Sequence, residues 1–490
     1  MKTSQLRSII IPTLTSLLAF TSVQAQQLPS TGSVNSSFGK LTFKDGYPTD
    51  ETIQKLFKDI DLQRASQAYL WALPLMAMHQ WQNEQREKFG AGNLDYVDYF
   101  TFTDKLGLLT ANATTPYIMA FPNLKESGPL VMEVPTGATA GGVTDFWQRP
   151  LTDSGQTGPD KGNGGRYLIL GPDDPDIKPE GYFVVRSPTV NVWVAHRVLD
   201  PDPLKAKATA TALRLYPYSQ RDNPLPTLHL SPNGRKWSGT QPRGLLYWQG
   251  LAKALESEPV LDRDRIMLGM LQPLGIEKDK HFKPDEIQKK ILTEAALVGE
   301  AMARAIGYAK RFDNVKVWPG KQWDISLFLK ETSQETPTHT QFDERTSWFY
   351  EAVGVSAGMM GREVGAGQVY LEAARDKNAQ WLQGEKNYHL HVPANAPVVQ
   401  FWSFTVYDNE TRCFVDTGLK PDRSSRDETI KNSDGSVDLY FGPKAPKDKP
   451  ATNWIKTNPG KGWFTYFRLY GPTQAYFDRS WILPDIEALK

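Results

Sequence analysis

The feature that most constrains the fold is a series of short apolar runs between Leu106 and Val198, separated by turns rich in Gly, Pro and Asp. Apolar runs bounded in this way are typical of β-strands. The predicted strands are Tyr117–Ala120, Leu130–Met132, Tyr167–Leu170, Tyr182–Val185 and Val190–Val194. No helix of useful length fits between them, which argues against a parallel α/β sheet. The sequence therefore predicts a β domain here.

A second β region is predicted between residues 365 and 485, where the strands are rich in aromatic residues. Turn sequences such as Asp408-Asn409 and Asp434-Gly435 join its strands. The predicted strands are Val398–Tyr407, Thr411–Val415, Ser436–Tyr440 and Trp463–Tyr470.

Apolar residues at helical spacing mark the segments before and between the two β regions. Asp50 is placed to cap a first helix. A second helix is predicted from about residue 61 to residue 81, with a kink at Pro74. The helical period returns at 241–310, where Pro284-Asp285 predicts the start of a long helix.

The order of these segments predicts an α+β chain that is mainly β. It would contain two antiparallel β-sandwich or jelly-roll-like domains, an N-terminal helical lead and a helical linker between the domains. The predicted divisions are a signal peptide at 1–25, a flexible leader at 26–48, N-terminal helices with the first β domain at 49–230, a helical linker region at 241–345 and the second β domain at 346–490.

Residues 1–25 have the pattern of a cleavable secretory signal. Lys2 and Arg7 precede an apolar run that ends at Phe20, and Val23-Gln24-Ala25 places small residues around a cleavage point. The run is shorter than the ~20 apolar residues that a membrane-spanning helix needs. The mature chain is therefore expected to be periplasmic or secreted, without a membrane partner after cleavage.

The charge balance argues against a nucleic-acid partner, and the cysteine count argues against an internal disulfide. The chain has 56 Lys and Arg against 55 Asp and Glu, a formal charge of +1, and it lacks the basic excess typical of nucleic-acid binding. The single Cys413 cannot form an internal disulfide. Export would separate the protein from cytoplasmic nucleotide pools, so no cofactor is predicted. The sequence leaves a homo-oligomer open.

Motifs in both β regions carry a family resemblance. The first set is Asn112–Tyr117, Gly128–Leu130, Gly165–Tyr167, Gly171-Pro172 and Val192-Trp193; the second is Phe401–Ser403, Val406–Asp408, Asp434–Ser436, Asn453-Trp454 and Arg468–Pro472. The chain resembles the paired domains of unknown function 1254 (N-terminal) and 1214 (C-terminal), which occur together in exported bacterial proteins. The resemblance implies a β-rich two-domain fold and no settled activity. Thr114 stands where the commoner form of the first motif has Asp.

Three motifs point to chemistry that their surroundings do not support. Ser356 lies in a G-x-S-x-G sequence, but a nucleophile elbow needs a strand before it and a helix after it. Asp416 and Asp153 each begin a D-x-G sequence as in aspartic proteases, yet the resemblance puts them in separate domains. The Gly-rich segment 158–165 lacks the GK[ST] of a phosphate loop and is expected to be a mobile hairpin or a loop at the edge of a cleft.

His389 and His391 alternate along a predicted strand, so both imidazoles should face the same way. That arrangement suits a metal ion, with His196 or an acid as third ligand. The alternative is two histidines on a solvent-exposed face.

The predicted functional site is a cleft between the two β domains. Its predicted catalytic residues are Tyr117, His196 and Arg468; its predicted substrate-binding residues are Asn112, Thr115, Trp147, Arg197, Trp402, Tyr407 and Trp454. Arg and Tyr side chains can fix an anionic or hydroxylated ligand, and Trp faces can cover it. For each residue the alternative is a structural role, since buried polar groups are usually paired for stability.

Two functions remain open on these grounds. The first is an enzyme of hydrolase or lyase type that acts on a small organic or sugar-like molecule. The second is a binding protein that holds such a small-molecule ligand without converting it.

Overall fold

A computed structural model describes residues 27–489 of the chain. The predicted signal peptide at 1–25 lies outside the described residues. No helix in the described part is long and apolar enough to cross a membrane. The chain divides into two compact units, one up to Ile60 and one from Asp61 onward.

The first unit contains a three-stranded antiparallel sheet. Its strands are β1 (Gly32–Ser36), β2 (Gly39–Lys44) and β3 (Tyr47–Pro48), in that order. Much of the segment predicted as a flexible leader is therefore a small sheet. The overlooked signal is Asp45-Gly46, whose φ angles of 53° and 84° suit the two-residue hairpin turn that Asp-Gly favours.

Helix α1 is one continuous element, Asp50–Phe89, where the sequence predicted two helices. Pro74 lies inside it without ending it. The turns around Pro74 are buried, and Leu73 and Leu75 have no exposed surface. Tertiary packing of this kind outweighs the lost backbone hydrogen bond.

The first β region of the second unit has two sheets. Its elements are β4 (Tyr96–Tyr99), β5 (Tyr117–Ala120), α2 (Leu124–Ser127), β6 (Leu130–Val134), β7 (Thr139–Asp145), β8 (Pro150–Gly155), β9 (Gly165–Leu170), β10 (Tyr182–Arg186), β11 (Val192–Val198), α3 (Pro203–Thr211), β12 (Arg214–Pro217) and β13 (His229–Leu230). A six-stranded sheet has the order β13-β4-β5-β11-β7-β8, and a four-stranded sheet has the order β10-β9-β6-β12. Ile118 and Val194 from the first share a core cluster with Leu130 and Ile169 from the second.

Four helices follow, and they pack with α1 in the largest core cluster. They are α4 (Leu245–Ser257), α5 (Arg265–Leu271), α6 (Glu286–Tyr308) and α7 (Phe342–Glu351). The predicted start of the long helix is confirmed, since Asp285 and Gln288 form a capping box at the first turn of α6. Tyr247 of α4 stacks on Tyr69 of α1, with ring centroids 4.1 Å apart.

The C-terminal β region also has two sheets. Its elements are β14 (Asp324–Ile325), β15 (Gln368–Ala373), β16 (Tyr388–Val392), β17 (Val398–Asp408), β18 (Asp422–Ser424), β19 (Val437–Gly442), β20 (Trp454–Lys456), β21 (Trp463–Pro472), α8 (Gln474–Phe477) and β22 (Glu487–Ala488). The orders are β14-β15-β21-β17-β18 and β20-β19-β16-β22. Leu371 and Phe467 of the five-stranded sheet share a core cluster with Leu390 and Leu439 of the four-stranded sheet.

The prediction of a strand at Thr411–Val415 is wrong. A tight turn occupies this segment, with Arg412 at a φ of 61°, and only an isolated bridge joins Phe414 to Tyr407. The Asp408 carboxylate accepts the backbone N–H groups of residues 410 and 411, a side-chain capture that favours turns over strands.

The α+β, mainly β, fold class is confirmed. Most strand pairs are antiparallel, but β9–β10, β4–β13 and β19–β20 pair in parallel. The sandwich or jelly-roll detail and the predicted division of the second unit into domains stay predictions.

Candidate functional site

A cavity of about 140 Å³ lies inside the second unit, between the six-stranded and the five-stranded sheets. One water needs roughly 10–15 Å³ measured in this way, so the cavity has room for a small organic molecule. Its lining comes from β5, β7, β8 and β11 on one side and from β15 and β21 on the other, with α1, α7 and the segments 108–111 and 352–359 between them.

The strand register shows which side chains of the six-stranded sheet face the cavity. Tyr117 of β5 pairs with Arg197 of β11, and Met119 pairs with Ala195. Residues paired across a sheet share a face, as do residues two apart on one strand. Trp193, two residues before Ala195, therefore lies on the same face of β11 as Arg197.

The five-stranded sheet presents a second set of side chains to the same cavity. Gln368 of β15 pairs with Tyr470 of β21, and Tyr370 pairs with Arg468. Phe467, one residue away, faces the opposite way and joins the C-terminal core. Alternation along β21 thus separates a polar face from an apolar one.

Arg197 links the two sheets. Its Nη1 donates a hydrogen bond to Oε1 of Gln368 at 2.8 Å, and its guanidinium carbon lies 5.2 Å from the centre of the Tyr117 ring. Arg197 is partly exposed and lines the cavity, so its remaining donors can reach a bound molecule.

Arg468 lies deeper, with 2% of its surface exposed. One Nη donates to the carbonyl of Thr110 at 2.6 Å and the other to Oγ1 of Thr405 at 3.2 Å. Its guanidinium lies 5.2 Å from the Tyr466 ring and 5.5 Å from the Tyr370 ring. Its Nε has no hydrogen-bond partner among residues 27–489.

Arg197 and Arg468, with the tyrosines around them, form a group that we call the arginine cluster. It has more positive charge and more hydrogen-bond donors than the nearby acceptors can satisfy. Within residues 27–489 both guanidiniums donate only to neutral oxygens, and the rings of Tyr117, Tyr370 and Tyr466 lie beside them. Burial raises the pKa of Tyr370 and of Tyr470 above the usual range, so both keep their protons. The Tyr470 hydroxyl also lacks a partner within the described chain. Buried charge without a counterion is costly, which makes the cluster suited to an anion.

Asn112 and Thr115 support this cluster from behind. The backbone N–H and side-chain amide of Asn112 donate to the Tyr117 hydroxyl at 3.1 and 2.8 Å. Oδ1 of Asn112 accepts the Thr115 N–H at 2.7 Å. Both residues are fully buried in a turn and neither lines the cavity, so they position Tyr117 rather than contact a ligand.

Tyr407 also acts from behind the cavity. Its hydroxyl donates to the carbonyl of Ala111, and the Arg468 guanidinium lies 5.7 Å from its ring. It ties the C-terminal sheet to the segment that precedes β5, and it does not line the cavity.

His196 touches the cavity, but its ring points to the other face of β11. The ring centroid is 6.1 Å from that of Tyr96, and Nδ1 lies 3.4 Å from Oγ of Ser154. Burial lowers the pKa of His196 to about 3, so the imidazole is neutral near pH 7. Strand alternation turns it away from Arg197 and Tyr117, contrary to the catalytic grouping that the sequence suggested.

Three tryptophans predicted to bind substrate lie outside the cavity. Trp147 packs on Trp71, with ring centroids 4.6 Å apart. Trp402 stacks on Phe467 at 5.4 Å, on the apolar face of the five-stranded sheet. Trp454 donates its indole N–H to a backbone carbonyl at the end of β19 at 3.1 Å. Each is held by core packing or by the backbone.

His389 and His391 face the same way, as predicted, but they share a carboxylate. Nε2 of His389 and Nδ1 of His391 lie 2.9 and 2.8 Å from Oδ1 of Asp438. Within residues 27–489 no group of three or more His, Cys, Asp or Glu is arranged to hold a metal ion. His196, the suggested third ligand, lies at the cavity, which the two strand histidines do not line. A metal at this pair stays a prediction.

Two residues of the rejected motifs do reach the cavity. Ser356 lies in the loop that follows α7, not between a strand and a helix. Asp153 of β8 pairs with Gly142, in the same row across the sheet as Ala195, and it is the only carboxyl among the lining residues, all of which are described. Burial raises its pKa.

Asp153, Gln368, Tyr370 and Trp193 are among the site residues that the predicted set omitted. Trp193 was within reach, because it belongs to the motif Val192-Trp193. The others depend on which strands pair and in which register, and motif reading does not supply that information.

Comparisons with known proteins agree with the two motif sets. Residues 94–217 match a family model described as "Protein of unknown function (DUF1254)", and residues 367–474 match one described as "Protein of unknown function (DUF1214)". The predicted resemblance is confirmed, with both matches in one chain. No curated protein matches the chain.

The solved structures that match the chain include the following two. The VPA0106 protein from Vibrio parahaemolyticus has a TM-score of 0.53 and 16% identity, over 88% of this chain and 100% of the other. An uncharacterised protein from Burkholderia cenocepacia has a TM-score of 0.40 and 12% identity, over 89% of this chain and 97% of the other. The first shows a shared fold, and the second is too distant to support an argument.

Proposed function

We propose that this chain, which carries a DUF1254 domain followed by a DUF1214 domain, binds a small organic anion in the cavity between those two regions. The observation that supports the proposal is the pair of guanidiniums of Arg197, which is partly exposed, and Arg468, which is buried; their hydrogen-bond partners among residues 27–489 are all neutral. An anionic group would supply the missing counter-charge.

A carboxylate suits the part of the cavity that lies beside Arg197 and Arg468. Guanidinium and carboxylate form short, paired, charge-assisted hydrogen bonds, and Arg197 has donors left after its bond to Gln368. Arginine keeps its charge even when it is buried. Since the low dielectric of the interior strengthens such a contact, one carboxylate can contribute much of the binding free energy.

The test is a thermal-shift screen of organic acids, each compared with its neutral amide. A ligand that binds only the native state raises its apparent stability by about 2.7 kcal/mol at a hundred times Kd. We expect acids to raise the melting temperature and the matched amides to leave it unchanged. Equal shifts from acid and amide would contradict an anion site.

The matched variants are Arg197→Gln and Arg265→Gln. Arg265 is an exposed arginine of α5 whose ion pair with Asp262 lies at the surface. We expect Arg197→Gln to abolish the acid-dependent shift and Arg265→Gln to keep it. Retention of the shift in Arg197→Gln would place the anion elsewhere.

A hydrolase or lyase is the second candidate, and Asp153 favours it. Its carboxyl lies in the cavity wall, where burial raises its pKa, and a positioned carboxyl is one of the groups that can transfer a proton in general acid–base catalysis. Asp153→Asn should abolish conversion of a bound acid while keeping its binding, with products followed by NMR. Failure of the unaltered protein to convert any acid that it binds would leave a binding protein.

Location and association belong to the same proposal. We infer a periplasmic or secreted protein with neither nucleic-acid nor membrane partners, in which self-association is open. N-terminal sequencing of protein from the exporting cell should begin at Gln26. A chain that starts at Met1 would contradict processing.

A further inference from the structure

We infer that the bound molecule is an elongated carboxylate with an aromatic body, lying along β11 with its acid at Arg197 and its ring against Trp193. This inference rests on the proposed function and adds the class of ligand to it.

The expected length of the ligand follows from the spacing of residues along β11. Trp193, Ala195 and Arg197 lie on one face of β11, because side chains alternate along a strand. Four residues of extended chain separate the Cα atoms of Trp193 and Arg197 by about 13 Å. The anion-binding end and the indole end of the cavity are therefore well apart, and an ion such as acetate would contact only one of them.

At the middle of this path β11 and β7 contribute only small residues. Ala195 pairs with Gly142 of β7, and both line the cavity. Alanine at this row leaves the space that a larger side chain would occupy. A ligand body can therefore pass from Arg197 towards Trp193 without displacing protein atoms.

Aromatic and apolar side chains line the far end. The rings of Trp81 and Trp193 have centroids 5.7 Å apart, and both residues are part of the lining. Aromatic rings bind well to such walls, where tilted and edge-to-face contacts add to the burial of apolar surface.

Gly354 shows that the position of Trp193 is built into the fold. A Cβ on Gly354 would lie 2.7 Å from a ring atom of Trp193, and this glycine has a φ of 77° that side chains rarely adopt. The glycine lets the loop after α7 close over the indole. The aromatic wall is thus pre-formed, which reduces the cost of binding.

The first experiment compares three probes by calorimetry with the unaltered protein: 3-phenylpropionate, acetate and 3-phenylpropionamide. We expect 3-phenylpropionate to bind at least 100-fold more tightly than acetate and at least 10-fold more tightly than the amide. Acetate within tenfold of 3-phenylpropionate would overturn the aromatic class and leave the anion site standing. Equal binding of acid and amide, or no binding of either acid, would instead overturn the proposed function.

The second experiment uses Ala195→Leu, which fills the middle of the path. Affinity for 3-phenylpropionate should fall at least tenfold, while affinity for acetate should change less than twofold. Ala208→Leu is the matched control, because Ala208 is exposed on α3. Unchanged binding of 3-phenylpropionate to Ala195→Leu would contradict this path.

A measurement on the unaltered protein covers the case in which Ala195→Leu does not fold. In saturation-transfer NMR the ring protons of 3-phenylpropionate should receive more saturation than the methylene beside its carboxylate. Equal or stronger saturation at that methylene would overturn the placement of the ring among the tryptophans.

Discussion

Two buried charged clusters lie on neighbouring rows of the five-stranded sheet, and they are balanced in opposite ways. In one row Tyr370 pairs with Arg468; in the next Glu372 pairs with Tyr466. The rows are about 7 Å apart along the strands. The first contains arginines that form no ion pair within residues 27–489, whereas the second contains carboxylates grouped around Lys310.

The second cluster, which we call the lysine cluster, consists of Lys310, Glu351, Glu372 and Tyr466, and its charges are paired with one another. Nζ of Lys310 contacts the carboxylates of Glu372 and Glu351, and the Tyr466 hydroxyl donates to Glu351 at 2.8 Å. The side chain of Lys310 is fully buried. Burial and the neighbouring Glu351 raise the pKa of Glu372 well above its usual value, which favours a proton held between the two carboxyl groups.

The difference is the reason that we propose a binding role for one cluster and a structural role for the other. The lysine cluster satisfies its charges from within the fold, so it needs no ligand. The arginine cluster keeps an excess of positive charge beside a cavity, and this excess is the basis for the proposed anion site. Three predictions concern buried charges, from the largest expected effect to the smallest, and two concern a charged group at the surface.

The largest effect is expected for Lys310→Met. It leaves two carboxyl groups buried without their cation and should lower the free energy of unfolding by about 3 kcal/mol or more. Lys316→Met is the control, because Lys316 pairs with Asp324 at 2.7 Å but is 45% exposed, so its loss should cost below ~1 kcal/mol. Denaturant titration measures both. Equal losses of unfolding free energy in the two variants would mean that the buried network does not stabilise this region more than a surface ion pair does.

Lys105, a third buried cation, should give the protein a pH dependence. Burial lowers its pKa from 10.5 to about 7, and its Nζ lies 5.1 Å from the Tyr117 ring. Between these pH values the unfolded chain holds a proton that the folded chain has released, so the free energy of unfolding rises with pH, by up to ~1.4 kcal/mol per unit.

Lys105→Met should remove that rise and stabilise the protein most below pH 7. Denaturant titrations at pH 6, 7, 8 and 9 check this, with Lys207→Met on the exposed face of α3 as the control. The idea fails if the unaltered protein and Lys105→Met show parallel pH profiles.

Arg197→Gln should change the stability of the ligand-free protein by less than ~1 kcal/mol, because the charge it removes has no counterion to lose. The hydrogen bond to Gln368 is the main contact at risk. The same denaturant titration applies. A loss as large as that expected for Lys310→Met would show that the two clusters do not differ in kind.

The smallest effect is expected at Asp438. Although burial opposes it, hydrogen bonds from His391 and Asn432 lower the pKa of Asp438 to about 2. This carboxylate therefore contributes stability above the usual pKa, and the contribution is lost as the pH falls towards 2. Because the pair is partly exposed, Asp438→Asn should cost below ~1 kcal/mol at pH 6 and less at pH 3. A constant difference across this range would rule out the linkage.

The metal predicted at His389 and His391 can be tested on the same surface. Elemental analysis of the purified protein should show near-stoichiometric metal, and His389→Ala combined with His391→Ala should remove it. If the purified protein contains no bound metal, His389 and His391 serve only as hydrogen-bond partners of Asp438.

Sequence reading found strands more reliably than it found the site. Tyr117–Ala120 is β5 to the residue, and Asp285 caps the helix that it was expected to begin. Both follow from local signals, an apolar run between turns and a capping side chain. The turn at Thr411–Val415 was missed because its apolar residues resemble a strand, while the Asp408 side chain captures the backbone.

The sequence by itself determined the fold class, the two family regions and three side chains of the cavity, Tyr117, Arg197 and Arg468, because these depend on local pattern and on motifs. Only the tertiary structure decided which face each strand turns to the cavity. A shift of one residue exchanges the two faces of a strand, so motif reading grouped Trp402 and His196 with Arg468. Register places Trp402 in the core and turns the His196 ring away, and it brings Tyr370, Gln368 and Asp153 to the cavity. It also decides that one row of charges is balanced and the next is not.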